Sequence, residues 1–432
     1  MDIAAALAYL ADHSNYDDTG RITSPSTERI ERLVGLMGDP QRAAPAIHIT
    51  GTNGKGSTAQ ILTRLLVTQG LSVGTFSSPH LERVNERLSR NGEPITDDEL
   101  GEQIGAVADL AMLAGVEPTY FEIVTAAAFR WFADIAVDVM VVEVGLLGRW
   151  DATNVLDAAV AVVTNVGFDH LEYAGPTLAD VAAEKAGIVK PGSTLILGET
   201  DPELAAIFRA AGAERVIERG MGFDVLENQL ALGGRVLSLR TPSTIYSDLY
   251  LPLHGRYQGE NASVALTAAE AFFDAPLAQD VVEEAFAAVK MPGRFEVLGH
   301  QPLVIVDGAH NPPGADSCAA VLFDDFDPFG KKLLVVGFLA GRDPTTMLEA
   351  LRADEMDAVI CCTPGTSRGI PAAEVARAAR AIGCDDVAAL DGVADACDAA
   401  LVRATAEDLL LVTGSLYVVG HARPHLLKVL RG

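Results

Sequence analysis

Lys55 stands between two glycines in Thr50-Gly51-Thr52-Asn53-Gly54-Lys55-Gly56-Ser57-Thr58, and two hydroxyl side chains follow at once. That pattern suits phosphate. Glycines let backbone N–H groups approach an anion, an ammonium can sit between phosphate oxygens, and a hydroxyl can reach a divalent cation. Three more polar residues stand at the ends of apolar runs: Ser78 after 71–77, Glu143 near the close of 138–144, and His170 after 159–166. An acid at the end of a buried strand is costly unless a cation or another partner satisfies it. Taken singly, the three read as a cap, a paired acid and a surface histidine. Gathered at one edge of a sheet beside the glycine loop, they read as ligands for the magnesium that accompanies phosphate.

The elements that must position these groups follow from periodicity. Ile47 and Ile49 mark a strand at 46–50, and Ile61, Leu62, Leu65 and Leu66 repeat at helical spacing after the loop. Strand, loop and helix in that order turn successive amides and a helix N-terminus towards an anion. An ordinary glycine-rich turn is the plain alternative. The loop departs from G-x-x-x-x-G-K-[ST], since Ile49 stands where the first glycine falls and Gly56 separates Lys55 from the hydroxyls.

Strands are expected at 71–77, 138–144, 159–166 and 194–198, with helices at 2–13, 27–38 and 178–188. A long polar connection is read at 79–94, and Thr96 through Glu99 opens a helix with a capping box. Another helix starts near Tyr120. Short alternating runs around Gly233-Gly234 predict an antiparallel patch at 223–254, and helices at 260–274 and 279–289 lead to a linker at 291–294. A second βα series then supplies strands at 303–307, 333–338, 358–363, 387–390 and 409–413. The expectation is two α/β domains with the active site in the cleft between them.

The chain of 432 residues is 49% hydrophobic, enough for more than one core. It lacks an uninterrupted apolar run of about 18 residues, and it starts Met1-Asp2-Ile3 rather than with a basic segment, so a soluble, cytoplasmic protein is expected. The five cysteines (Cys318, Cys361, Cys362, Cys384 and Cys397) form no C-x-x-C pair and read as reduced thiols. A net charge of −27 argues against nucleic acid or an anionic membrane as partner. A phosphate site must overcome that field with lysine, backbone dipoles and metal.

The loop TGTNGKGS resembles the ATP-binding loop of the folylpolyglutamate synthase/dihydrofolate synthase family, part of the Mur ligase superfamily. Further motifs carry the resemblance from residue 50 to residue 420: Ser78-Pro79-His80, Glu143 through Asn154, Thr164-Asn165 through Asp169-His170, and Thr413 through Gly420. It implies a P-loop, mostly parallel sheet domain of Mur ligase type over 1–294 and a smaller Rossmann-like α/β domain over 295–432. The family's magnesium ligands map to Ser78, Glu143 and His170. Its ATP contacts map to Asn53, Gly54, Lys55, Gly56 and Ser57, and the far side of the nucleotide to Asn261, Arg294, Asp307 and His310. Asn261 would meet adenine, Arg294 would pair with phosphate, and Asp307 would take ribose hydroxyls or orient other nucleotide contacts.

Lys185 matches the lysine that becomes carbamylated, and Lys55, Lys185 and His170 are the residues implied in catalysis. A lysine on a solvent-facing helix surface is the bland reading of Lys185. Thr119, Tyr120, Phe121 and Glu122 match a segment lining the pterin pocket, with Asp151 and Ala152 opposite. Leu147 replaces a family glycine and Trp150 a family leucine.

The reaction implied is ATP-dependent ligation: γ-phosphoryl transfer to a carboxylate, then attack of the L-glutamate amine on the acyl phosphate. Dihydropteroate, a reduced folate, or both are the implied acceptors, and a monomer is expected. A peptidoglycan ligase would carry a nucleotide-sugar domain before the loop, where no room remains. A GTPase switch would want N-K-x-D, and no Asn-Lys pair occurs. A non-catalytic nucleotide-binding protein sits poorly with Lys55, Glu143 and His170 together.

Overall fold

The strand that feeds the phosphate loop is buried on both faces, and the first sheet is laid out around it. The computed structural model describes residues 1–15, 25–168, 171–326 and 330–431. These fall into two units, one of residues 1–15, 25–252 and 257–290, the other of 253–256 and 291 onwards. The sequence reading closed its first domain at Arg294; in the structure 291–294 pack with the second unit.

In the first unit the strands are β1 (Ala46–Thr50), β2 (Val73–Phe76), β3 (Leu88–Arg90), β4 (Glu93–Pro94), β5 (Val139–Glu143), β6 (Val160–Val163), β7 (Thr194–Leu197) and β8 (Arg215–Glu218). They form one 8-stranded sheet in the order β4-β3-β2-β5-β1-β6-β7-β8. Strand β1 runs parallel to β5 on one side and β6 on the other, pairing Ile49 with Glu143 and Thr50 with Val163. Crossover connections leave it central, and all five of its residues are buried. Ala46, His48 and Thr50 face one way and Ile47 and Ile49 the other.

The stretch read as a polar connection at 79–94 holds structure. Val84–Arg87 is a 3-10 turn, and β3 and β4 pair antiparallel at the sheet edge. Asn91-Gly92 turns the hairpin at φ 55° and 83°, the left-handed pair that a two-residue turn requires. That dipeptide was the available signal. Strand β8 also lay outside the sequence reading. The antiparallel patch is as expected: β9 (Asp224–Ala231), β10 (Gly234–Arg240) and β11 (Ile245–Leu251) make a 3-stranded sheet in the order β11-β10-β9.

The second unit holds β12 (Glu296–His300), β13 (Leu303–Val306), β14 (Lys332–Val336), β15 (Ala358–Cys362), β16 (Val387–Leu390) and β17 (Leu409–Thr413). Its 6-stranded sheet runs β12-β13-β17-β14-β15-β16. Only the edge strand β12, missed in the sequence, is antiparallel to its neighbour. The rest is the parallel α/β series that alternation predicted. None of the described helices is long and apolar enough to cross a membrane.

Candidate active site

Only Gly51–Gly54 connects β1 to the helix Lys55–Thr68. A Cβ on Gly51 would collide with Oγ1 of Thr164, and one on Gly54, at φ 83°, with Oδ1 of Asn261. The loop is braced from the segment after β6. Asn165 accepts the Thr52 N–H on its carbonyl at 3.1 Å and the Asn53 N–H on Oδ1 at 3.0 Å. Thr164 Oγ1 and Asn165 Nδ2 both donate to the Asn53 carbonyl, at 2.7 and 3.1 Å. The backbone of Asn53 is therefore spent on holding the loop.

The amides of Lys55, Gly56 and Ser57 lie ahead of the first helical bond, from the Thr58 N–H to the Gly54 carbonyl at 2.9 Å. Gly54 supplies no side-chain cap, so this is an uncapped helix N-terminus of 14 residues. The Lys55 ammonium folds over it, donating to the carbonyls of Gly51 at 3.1 Å and Thr52 at 3.4 Å. Thr58 Oγ1 is buried with no hydrogen-bond partner among the described residues.

Glu143 ends β5 directly beside this turn. Its side chain is only 4% exposed, and the Ser78 N–H donates to Oε2 at 3.1 Å. A Cβ on Gly56 would stand 3.6 Å from Oε2 and 3.8 Å from Oε1, ordinary van der Waals contact, so the carboxylate lies directly against the first turn of the loop helix. The structure thus joins Ser78, Glu143 and the first turn of the loop helix. His170, the third expected metal ligand, lies outside the described residues. No group of three or more His, Cys, Asp or Glu suited to a metal occurs among the described residues.

The expected pterin pocket divides in two. Thr119 and Glu122 form a capping box on the helix Tyr120–Asp134, the Thr119 N–H donating to Glu122 Oε2 at 2.7 Å. Arg29 Nε donates to both Glu122 oxygens at 3.0 Å. Those oxygens are occupied by structural partners. Tyr120 is buried with the Arg87 guanidinium over its ring, 5.3 Å from the centroid, and Arg87 Nε donates to His80 Nδ1 at 2.9 Å. The Phe121 ring covers Gly145, where a Cβ would collide with it, and lies 5.8 Å from the Phe76 ring.

Asp151 caps the 3-10 turn Ala152–Val155, both Asp151 and Ala152 being buried. Oδ1 accepts from the Thr153 N–H at 3.0 Å and from the Thr153 hydroxyl, and Oδ2 accepts from the Leu146 N–H at 2.8 Å. Burial pushes its carboxyl above the usual carboxylate range, with these hydrogen bonds pulling the other way. Behind Thr153 stands His48, fully buried on β1, its Nε2 2.8 Å from the Thr153 hydroxyl. Burial, with the Lys190 ammonium adding to it, pushes His48 down to about 3. At neutral pH it is an uncharged imidazole. Leu147, which replaces the family glycine, sits at φ 58°, the left-handed region that glycine enters without cost. Trp150 is 52% exposed.

Lys185 is the last residue of the helix Leu178–Lys185 and is 3% exposed, which overturns the solvent-facing alternative. That helix end packs under the loop after β5: a Cβ on Gly148 would lie 3.0 Å from the Lys185 carbonyl.

Asn261 belongs to the first unit, while Arg294, Asp307 and His310 belong to the second. In the second unit Asp307 turns inward. The Phe295 N–H donates to Oδ2 and the Ala309 N–H to Oδ1, each at 2.8 Å. The carboxyl is raised by burial, while the nearby Arg294 pulls it down. Arg294 Nη1 donates to the Gly308 carbonyl at 3.2 Å, and His310 Nδ1 lies 3.0 Å from the same oxygen. Asp307 therefore orders the loop that presents Arg294 and His310.

Sequence reasoning passed over Thr164 and Asn165 as loop braces, and over His48, Thr153, Arg29 and Arg87. A polar pair closing the run 159–166, a histidine inside the apolar run Ile47-His48-Ile49 and an arginine just before Leu88 were the signals.

Comparison with known proteins identifies both domains. Residues 49–269 match the Mur ligase middle domain, and 293–416 match the glutamate ligase domain of Mur ligases. Dihydrofolate synthase/folylpolyglutamate synthase of Mycobacterium tuberculosis is 38% identical, over 92% of this chain and 89% of that protein. The crystal structure of Mycobacterium tuberculosis folylpolyglutamate synthase complexed with ADP and AMPPCP has a TM-score of 0.90 at 37% identity, covering 98% of this chain and 99% of the other. A bifunctional folylpolyglutamate synthase/dihydrofolate synthase with Mn, AMPPNP and L-glutamate bound has a TM-score of 0.85 at 28% identity, covering 99% and 98%. With the loop, the buried glutamate and both domains in their places, the chain belongs to the dihydrofolate synthase/folylpolyglutamate synthase family of Mur ligases, ATP-dependent enzymes that join glutamate to folates.

Proposed function

We propose that the chain passes the γ-phosphoryl group of ATP to the carboxylate of dihydropteroate or a reduced folate, releasing ADP. The L-glutamate amine then attacks the acyl phosphate carbon, phosphate leaves, and an amide forms. The observation that carries this reading is the juxtaposition of an uncapped loop-helix N-terminus with the buried Glu143 carboxylate.

In this reading the amides of Lys55, Gly56 and Ser57 and the Lys55 ammonium take the phosphates. Lys55 exchanges its two loop carbonyls for phosphate oxygens. Ser78, Glu143 and His170 are the residues that would hold magnesium. A buried carboxylate set against the first turn of a phosphate-loop helix fits a hard cation. Bound there, magnesium neutralises charge on the phosphoryl oxygens. Glu143 in turn is held in place by the Ser78 amide.

Asn261, set against Gly54, and Arg294 and His310, set by Asp307, are the proposed remaining nucleotide contacts. Asp151, Ala152, Tyr120 and Phe121 are proposed to face the pterin, with Thr119 and Glu122 fixing the helix that carries Tyr120 and Phe121. Lys185 is proposed to react with carbon dioxide, losing a proton and gaining a carbamate. Its burial 3% exposed suits a group that works inside the site. Five buried cysteines that form no disulfide suit a reducing compartment, and a cytoplasmic monomer is the assembly proposed.

The test is to incubate the protein with ATP, magnesium and glutamate, offering dihydropteroate and tetrahydrofolate separately and following ADP release and product mass. Glutamate addition that a folded Lys55→Ala variant loses is the expected result. Ligation at the wild-type rate by that variant overturns the loop assignment.

A further inference from the structure

His48 is a polar ring between Ile47 and Ile49 in a strand buried throughout, and burying it costs free energy that an alanine would not cost. Its Nδ1 has no hydrogen-bond partner among the described residues, so structural satisfaction does not explain it. Its one polar contact is the Thr153 hydroxyl, at 2.8 Å. That hydroxyl has a single proton. Asp151 receives N–H donors on both oxygens, from Thr153 at 3.0 Å and Leu146 at 2.8 Å, which is the environment of an accepting carboxylate. The Thr153 proton therefore goes to Asp151, and the hydroxyl oxygen must accept from His48. His48 is then the Nε2–H tautomer, with the bare lone pair on Nδ1.

The geometry points to His48 as a positioning residue for substrate: through Thr153 it fixes the orientation and accepting state of the Asp151 carboxylate that receives the amino-pyrimidine edge of the pterin. This rests on the reading of Asp151 as a pterin contact. Without the His48 donor the Thr153 hydroxyl can rotate. It would then share its proton elsewhere, and Asp151 would lose a donor that both holds it and favours its anionic form. The chain His48–Thr153–Asp151 also ties the substrate side of the sheet to the strand that ends in the phosphate loop, since His48 lies two residues before Thr50 on β1.

The experiment measures kcat, the KM for ATP and the KM for whichever of dihydropteroate and tetrahydrofolate the wild type ligates. The variants are His48→Leu, His48→Gln, Thr153→Val and Asp151→Asn, each checked for its melting temperature. His48→Leu is expected to raise the pterin KM about tenfold, the scale of one hydrogen bond to a charged group, with kcat and the ATP KM within about twofold. Thr153→Val, which keeps the volume, is expected to do the same, and the double variant to add nothing further. His48→Gln places an amide donor near Nε2 and is expected to restore the pterin KM.

If Asp151→Asn raises the pterin KM and His48→Leu and Thr153→Val do not, the relay is wrong while the pocket stands. Equal losses in all three constants without rescue by glutamine make His48 merely structural, which also overturns it. An unchanged pterin KM in Asp151→Asn removes the pocket reading itself, and the relay with it.

Discussion

Gly54 has no room for a Cβ because Oδ1 of Asn261 occupies the place it would take. Helix Tyr257–Phe273, which carries Asn261, thus presses on the phosphate loop at the residue whose left-handed backbone opens the loop helix. Gly54→Ala meets two obstacles, the collision and a strained φ of 83°. It is expected to raise the ATP KM at least tenfold. Pairing it with Asn261→Gly should recover part of that loss, because only the collision is relieved. Steady-state kinetics in ATP decides the matter; no recovery in the double variant would mean that backbone strain alone carries the effect.

Glu143→Gln keeps the shape of the side chain and can still accept the Ser78 N–H, so the fold should survive. What it removes is the negative charge beside Gly56. Ligation is expected to fall by at least a hundredfold, with little rescue by excess magnesium and a melting temperature within a few degrees of wild type. A Gln variant that melts lower yet turns over normally would mark Glu143 as a structural acid.

The parts of this site that were legible in sequence are local. Glycine spacing after a β-branched run announces strand, loop and helix within a dozen residues, and an acid closing an apolar run announces Glu143. What stayed hidden depends on non-local packing. His48 and Thr153 are 105 residues apart and Arg29 and Glu122 are 93 apart, so only the fold brings them together. The burial of Lys185 is likewise a property of the loop packed over its helix. By resemblance Asp307 is expected to take ribose hydroxyls or to orient other nucleotide contacts; two loop amides occupy its oxygens, which no sequence pattern announced.

Leu147 supplies a third prediction. Alanine normally outranks glycine in stability, since glycine has more freedom to lose on folding. At φ 58° the order should reverse. A non-glycine residue in the left-handed region carries a cost of about 1–2 kcal/mol that glycine escapes. Leu147→Ala loses the packing of a side chain only 9% exposed and keeps the strain; Leu147→Gly loses the packing and the strain together. The glycine variant is expected to be the more stable of the two by about 1 kcal/mol. Urea unfolding of both variants reads the difference, and the usual order would show that the loop relaxes away from this conformation.

The last prediction concerns acid. His48 takes up a proton at its ordinary value in the unfolded chain, but in the folded protein burial and Lys190 push it down to about 3. A depressed folded value means that the unfolded state binds the proton first as pH falls. The stability His48 leaves intact above its ordinary value is therefore lost progressively between the mid-six range and about 3. The slope is at most about 1.4 kcal/mol per pH unit. Asp151 works in the opposite direction, since a raised carboxyl favours the folded state as pH falls, but it is present in wild type and variant alike. The comparison that isolates His48 is wild type against His48→Gln, which does not titrate. Between pH 6.5 and 4.5 the wild type should lose about 2–3 kcal/mol more than the variant in the unfolding of the first unit. Lys190→Gln in the wild-type background should shrink that gap, because the ammonium is part of what keeps the imidazole neutral. Parallel stability curves for wild type and His48→Gln would show that His48 keeps an ordinary affinity for protons, and that β1 opens to solvent more readily than its burial implies.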